Sequence, residues 1–153
     1  MDEYNLAYRG HKFENLKLKP VAYSDEYFKF EIDMESDLFY ELRRSNNIIP
    51  NRLCDSSKDE LEEIKRFFNQ VKDSFLFLFA DDGSMIGSIL FVRNYIQSLC
   101  VNKKHQRKGY GSSLVKIATN KILDNGFSEI TLNVLKGNIE ALELYNKLGF
   151  III

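Results

Sequence analysis

The sequence predicts an α/β domain, and three observations carry that reading. Residues 24–72 hold apolar side chains at helical spacing, and residues 75–101 switch to short apolar runs of strand length separated by turns. Residues 99–114 then pass from a strand end through a basic, glycine-bearing loop into the first turns of a helix. With 153 residues, 44% of them hydrophobic and 28% charged, the chain can bury one substantial core and is read as a single domain over 1–153.

The elements follow in order. Residues 1–15 carry no pattern that assigns them. Leu16–Tyr23 alternates apolar and polar side chains up to Pro20, as a short edge strand does. Ser24 stands where a helix N-cap would, and Tyr27 to Leu42 suit one or two helices, with a break near Glu35-Ser36-Asp37. Asn46–Leu53, with Pro50, reads as a loop. Ser57 and Glu60 have capping-box spacing, and Leu61, Ile64, Phe67, Phe68 and Val71 continue that helix. Phe75–Ala80 and Met85–Val92 flank an Asp-Asp-Gly-Ser turn as a hairpin, and Tyr95–Val101 is a third strand. Leu114, Val115, Ala118 and Ile122 mark one face of a helix ended by Asn125-Gly126. Glu129–Leu135 alternates as a strand. Asn138 caps a last helix that stops at Gly149, and Phe150–Ile153 is a final short strand.

Composition excludes several classes. Net charge is −1, so the molecule as a whole offers no general attraction to nucleic acid. The two cysteines, Cys54 and Cys100, lie far apart with no metal-ligand spacing, which favours a reducing, cytoplasmic setting and predicts no metal. The start, Met1-Asp-Glu-Tyr, has neither the basic residues nor the apolar run of a signal peptide, and the longest apolar run, Phe75–Ala80, cannot span a membrane.

The loop Val101–Leu114 concentrates the chemistry. Amides at a helix start lack partners and carry partial positive charge. Gly109 and Gly111 let backbone approach a ligand, and Lys103, Lys104, Arg107 and Lys108 add full charges. The combination suits a phosphate-bearing ligand. Two blander readings compete: a glycine-eased turn with incidental charge, and a small basic patch for nucleic acid, which would bind with steep salt dependence.

Together, Gln106-Arg-Lys-Gly109-Tyr-Gly111 and the spacing Asn138, Tyr145, Leu148-Gly149-Phe150 resemble the GCN5-related N-acetyltransferases. Their loop signature is Gln/Arg-x-x-Gly-x-Gly/Ala, followed by an Asn, a Tyr seven positions on, and Leu-Gly-Phe. The strand ending Leu99-Cys100-Val101 also fits. The ordered set spans about fifty residues; before residue 75 the likeness is one of element order only. The resemblance implies a mixed sheet flanked by helices, splayed between two central strands to hold acetyl-CoA as co-substrate. The pyrophosphate would lie on the amides of Arg107, Lys108, Gly109, Tyr110, Gly111 and Ser112 behind Gln106, and the pantetheine arm along Leu99, Cys100 and Val101. The implied partners are acetyl-CoA and an amine acceptor.

The same resemblance assigns Tyr145 as the general acid for the departing thiolate; on helical spacing alone it is a core aromatic. Asn138 is an N-cap first, and the resemblance adds contact with the cofactor arm. His105 reads as a solvated loop residue and Cys100 as a small buried one. The uneven alternation in Tyr95–Val101 predicts a bulge, whose inward-turned amide near Leu99 or Cys100 would face the acetyl carbonyl.

Two departures stand out. Where many relatives that acetylate protein amino termini carry a Glu, five positions before the Asn, this chain has Asn133, which cannot serve as a base. Glu26, Glu31, Glu35 and Glu41 lie in the region that usually frames the acceptor, with nothing to choose among them. The family also usually continues past Ile153 with a strand that pairs with the last one, so the sheet is expected to be shortened there. Its apolar edge is then paired directly with a neighbouring strand or covered by a second subunit, a homodimer. A non-catalytic acetyl-CoA-binding sensor or scaffold is the rival to the enzyme reading.

Overall fold

A computed structural model describes residues 2–153. Its elements are β1 (Glu3–Tyr8), β2 (Val21–Ala22), α1 (Phe28–Leu38), α2 (Tyr40–Ser45), α3 (Lys58–Gln70), β3 (Phe75–Phe79), β4 (Met85–Val92), β5 (Tyr95–Val101), α4 (Tyr110–Asp124), β6 (Ile130–Leu135), α5 (Ile139–Leu148) and β7 (Ile151–Ile152).

Where periodicity or turn chemistry is strong, elements form where the sequence puts them. The Ser57 hydroxyl accepts from the Glu60 amide at 3.2 Å and opens α3. Asn138 accepts from the Ala141 amide at 3.2 Å and opens α5, which Gly149 closes in the left-handed region at φ 100°. The β3–β4 hairpin forms around Gly83, also left-handed.

The weaker readings are corrected. Ser24 is extended and makes no capping bond, and a short 3-10 turn at Asp25–Tyr27 precedes α1. The break between α1 and α2 falls at Phe39, because Ser36 satisfies its hydroxyl on the Ile32 carbonyl at 2.6 Å and stays helical. Only Val21–Ala22, beyond Pro20, joins the sheet; the alternation before it forms no strand.

The seven strands run β2-β3-β4-β5-β6-β1-β7. β1, whose residues carry no assignable pattern, sits between β6 and β7. It is antiparallel to β6 from Glu3↔Leu135 to Tyr8↔Ile130 and antiparallel to β7 through Leu6↔Ile152 and Ala7↔Ile151. The position next to β7 is thus filled by the chain's own amino-terminal strand, the direct-pairing alternative. Leu6, Ala7 and Tyr8 are buried there. The segment after β1 is tied down as well: Asn120 on α4 bonds both the amide and the carbonyl of Phe13, each at 2.8 Å.

The sheet divides two cores. Leu114, Val115, Ala118 and Ile122 of α4, with Tyr145 of α5, pack on Ile89, Phe91, Ile130, Leu132 and Val134. On the other face Ile32 and Met34 of α1 and Phe68 of α3 cover Phe75, Phe77, Leu90 and Cys100. The bulge in β5 lies at Gln97, since Leu90 opposes Ser98 while Phe91 opposes Ile96. Leu99 and Cys100 keep regular partners, Ile89 and Ser88, so the expected position of the bulge amide moves back along the strand.

Candidate active site

β5 and β6 are the two neighbouring strands that run parallel, and only their beginnings meet. Tyr95 pairs with Thr131, whose amide donates to the Asn94 carbonyl at 2.9 Å. Beyond that pair the strands separate, leaving one edge of β5 without a strand partner. A cleft of about 640 Å³ occupies this side. Its wall is Leu99 and Val101, side chains two apart that share one face of β5.

The cleft runs on to the start of α4. Arg107 and Gly109 both take left-handed backbone, φ 62° and 85°, which curls the loop so that successive amides line one concavity. No side chain caps α4, so the amides of its first turn remain free of helical partners. The Gln106 side chain braces the loop by donating to the Val101 carbonyl at 3.0 Å. Gly111 faces inward: a methyl built there would sit 3.7 Å from Leu144, 3.8 Å from Val101 and 3.9 Å from Leu99. The concavity therefore exists because position 111 lacks a side chain. Free amides, a left-handed loop and apolar walls suit a ligand with a phosphate-bearing end and a slender arm.

Of the residues singled out by sequence, Leu99, Val101, Gln106, Arg107, Gly109, Tyr110, Gly111, Ser112 and Asn138 all line this cleft. Two do not. Lys108 is exposed outside the lining, and the Cys100 thiol, one residue out of phase with its neighbours, turns into the opposite core, where burial pushes its pKa well up. His105 also lines the cleft; its ring meets the Ser84 hydroxyl at 3.2 Å and lies edge-on to Tyr110.

Tyr145 is 6% exposed and packs edge-on against Phe150, so the core reading of its ring is correct. Burial, and secondarily the neighbouring Cys100 thiol, raise its pKa above the ordinary tyrosine value and hold it as the neutral phenol.

Sequence reasoning misses the walls contributed by other elements. Leu38 and Phe39, at the junction of α1 and α2, close one side. Glu140, Ala141, Leu144 and Lys147 of α5 close the other, at a helical spacing that by itself marks only a stripe facing the core. At the mouth, Arg107 and Glu140 form an ion pair at 2.9 Å, both side chains at least 80% exposed.

Of the four candidate carboxylates on the acceptor side, Glu31 is 0% exposed. Ser88 of β4 donates to its Oε1, and its Oε2 has no partner among the described residues. Burial first, then the adjacent Glu35 carboxylate, raise its pKa well above the usual range. At the position of the expected strand carboxylate, the Asn133 amide donates to Glu3 Oε2 of β1 at 3.3 Å.

A splayed mixed sheet with this cleft defines the class of coenzyme A-dependent acyl transferases. The sequence profile of the acetyltransferase (GNAT) family matches residues 22–150, and the chain belongs to that family. It is 33% identical over 93 residues to N-alpha-acetyltransferase 30 of Dictyostelium discoideum, covering 56% of this chain and 50% of that protein. N-alpha-acetyltransferase MAK3 of Arabidopsis thaliana is 33% identical over 94 residues, with the same two shares, 56% and 50%. The chain thus spans about half the length of these relatives. Among solved structures, the NatC complex bound to Gag peptide and CoA superposes with a TM-score of 0.62 at 22% identity, over 99% of this chain and 86% of that one, a likeness of fold.

Proposed function

We propose that this chain is an acetyl-CoA-dependent N-acetyltransferase that moves the acetyl group directly to a primary amine. The single observation that carries the proposal is the continuity of the cleft. One groove joins the unpaired edge of β5 to the uncapped start of α4, so an arm and a pyrophosphate can be held together. The amides from Arg107 to Ser112 hold the anionic end, and Leu99, Val101, Ala141 and Leu144 flank the arm. Bound there, acetyl-CoA supplies an activated thioester carbonyl. The bulge at Gln97 is the local break in β5 that frees an amide to face that carbonyl.

Tyr145 donates a hydrogen bond to the sulfur as the thiolate departs. A thiol has a pKa near 8.5, whereas this phenol is held above the ordinary tyrosine value. Hydrogen-bond donation is therefore favoured over complete proton transfer.

The relatives named N-alpha-acetyltransferases make a peptide α-amine the first acceptor class to try. The reading as a catalyst is preferred to the sensor reading because the relatives that the chain resembles are named as N-acetyltransferases. The test is release of coenzyme A thiol from acetyl-CoA with a panel of peptides bearing free α-amines and of small primary amines. Acceptor-dependent thiol release supports the reading. Saturable acetyl-CoA binding without release over the whole panel refutes it and leaves the sensor. Cytoplasmic residence is proposed with it, on the two free cysteines, and microscopy of a tagged chain tests it. A homodimer would form through the outer edge of β7, where Ile151–Ile153 are exposed, and light scattering at micromolar concentration decides it.

A further inference from the structure

Attack on a thioester needs a neutral amine, and an alkylamine with a pKa near that of lysine is mostly protonated at pH 7. A base is required, and Asn133 is not one. Two carboxyls on α1 are candidates for it. Glu31, Glu35 and Leu38 lie at i, i+4 and i+7 on α1 and so form one stripe along the helix. Leu38, at the end of that stripe, lines the cleft. Glu35 is half-buried one turn before it, and Glu31 is fully buried one turn further back. Ser88, which holds Glu31, is the direct cross-strand partner of Cys100, whose neighbours Leu99 and Val101 form the cleft wall. The pair therefore backs the strand that would hold the arm.

A fully buried carboxyl with one oxygen unpartnered is costly as a purely structural element, since each such atom forfeits its hydration. Besides Glu35, the titratable groups facing it are Cys100 of β5 and Tyr23 of the segment before α1. None of these is a cation, and burial holds the Glu31 proton tightly.

We propose that Glu31 and Glu35 form a proton-accepting carboxyl pair that deprotonates the acceptor ammonium, with Glu35 the member toward the cleft and Glu31 the positioning residue behind it. This rests on the acetyltransferase reading. The ammonium gives one proton to the Glu35 carboxylate, with Glu31 protonated behind it; the freed nitrogen attacks the carbonyl carbon, and the carbon–nitrogen bond forms as the carbon–sulfur bond breaks. A second nitrogen proton ends on the thiolate, and the proton on Glu35 leaves to solvent.

The experiment compares wild type with Glu35→Gln, Glu31→Gln and Ser88→Ala, using the best peptide acceptor of the panel and its aminooxy analogue, whose nitrogen is already neutral at pH 7. Glu35→Gln is expected to lose on the order of 100-fold in kcat with the amine, the usual scale for a general base, and only a few-fold with the aminooxy peptide. Glu31→Gln is expected to lower kcat with the amine a few-fold and to spare the aminooxy peptide, because Glu31 only positions Glu35. Ser88→Ala is expected to do the same, because the hydrogen bond that fixes Glu31 is lost. Infrared spectra of the chain show a protonated carboxyl above the ordinary glutamate range that Glu31→Gln removes. Equal losses with both acceptors, a wild-type kcat for Glu35→Gln with the amine, an equally amine-selective loss in Glu3→Gln, or the absence of that carboxyl band each overturns the proposal. If no panel member releases thiol, the acetyltransferase reading fails and the base falls with it; thiol release with no amine-selective loss in Glu35→Gln sinks the base alone.

Discussion

Gly111→Ala separates the demands of the fold from those of the ligand. Gly111 stands in the first turn of α4 with a backbone outside the left-handed region, so alanine fits its conformation. The added methyl meets its nearest neighbours at 3.7–3.9 Å, ordinary contact distances. Nothing in the chain must move, and restricting the unfolded backbone raises stability by about 0.4–1 kcal/mol. The neighbours it meets, Leu99, Val101 and Leu144, are the cleft walls. The methyl therefore occupies the space in which the ligand approaches the amides. Loss of one charge-assisted hydrogen bond to a phosphate is worth roughly 1.5–3 kcal/mol, a weakening of about 10- to 150-fold. Urea melts read the first quantity, and calorimetric titration with coenzyme A the second. The variant should be as stable as wild type or more so while binding at least tenfold more weakly. Unchanged affinity would refute the placement of the cofactor against Gly111, and a loss of stability would refute the open geometry of the cleft.

Leu6→Ala tests the insertion of β1: Leu6 is 2% exposed, and such a truncation lowers stability by about 2–5 kcal/mol. Leu18→Ala, at a site 39% exposed, should stay within about 0.5 kcal/mol. Equal urea midpoints for the two would rule out a central β1. Tyr145→Phe should keep coenzyme A affinity within about threefold but lower kcat by roughly 10-fold, the worth of one hydrogen bond to a charged sulfur; an unchanged kcat at intact fold removes the phenol from the chemistry. Glu31 also makes stability depend on pH. Its folded pKa is raised, so the folded state binds the proton more tightly than the unfolded state does. Its contribution is fully present below the unfolded glutamate value and is lost as pH rises through the raised value. Thermal melts from acid to neutral pH should show that fall in wild type and less of it in Glu31→Gln; an identical slope in both would count against a buried, protonated Glu31.

Local signals are legible in the sequence because their causes are local. Capping by Ser57 and Asn138, the stop at Gly149 and the phosphate-type loop from Gln106 to Gly111 each depend on side chains within a few residues of the backbone they control. The motif residues therefore stand out along the chain itself, and nine of them meet in one cleft. The same local logic misleads where two local rules compete. Ser24 has the chemistry of a cap but the chain needs an extended residue there, and Ser36 resembles a helix breaker until its hydroxyl finds the Ile32 carbonyl.

By itself the sequence determined the alternation of helices and strands, the hairpin, and a glycine-bearing basic loop whose resemblance to the acetyltransferase signature implies acetyl-CoA as donor. Tertiary structure alone decided the rest. Pairing Glu3–Tyr8 with Ile130–Leu135 joins segments more than a hundred residues apart, and a strand carries no local mark of its partner. Burial of Glu31 likewise depends on which face of α1 meets β4, so four equivalent glutamates became distinguishable only once Ser88 stood against one of them.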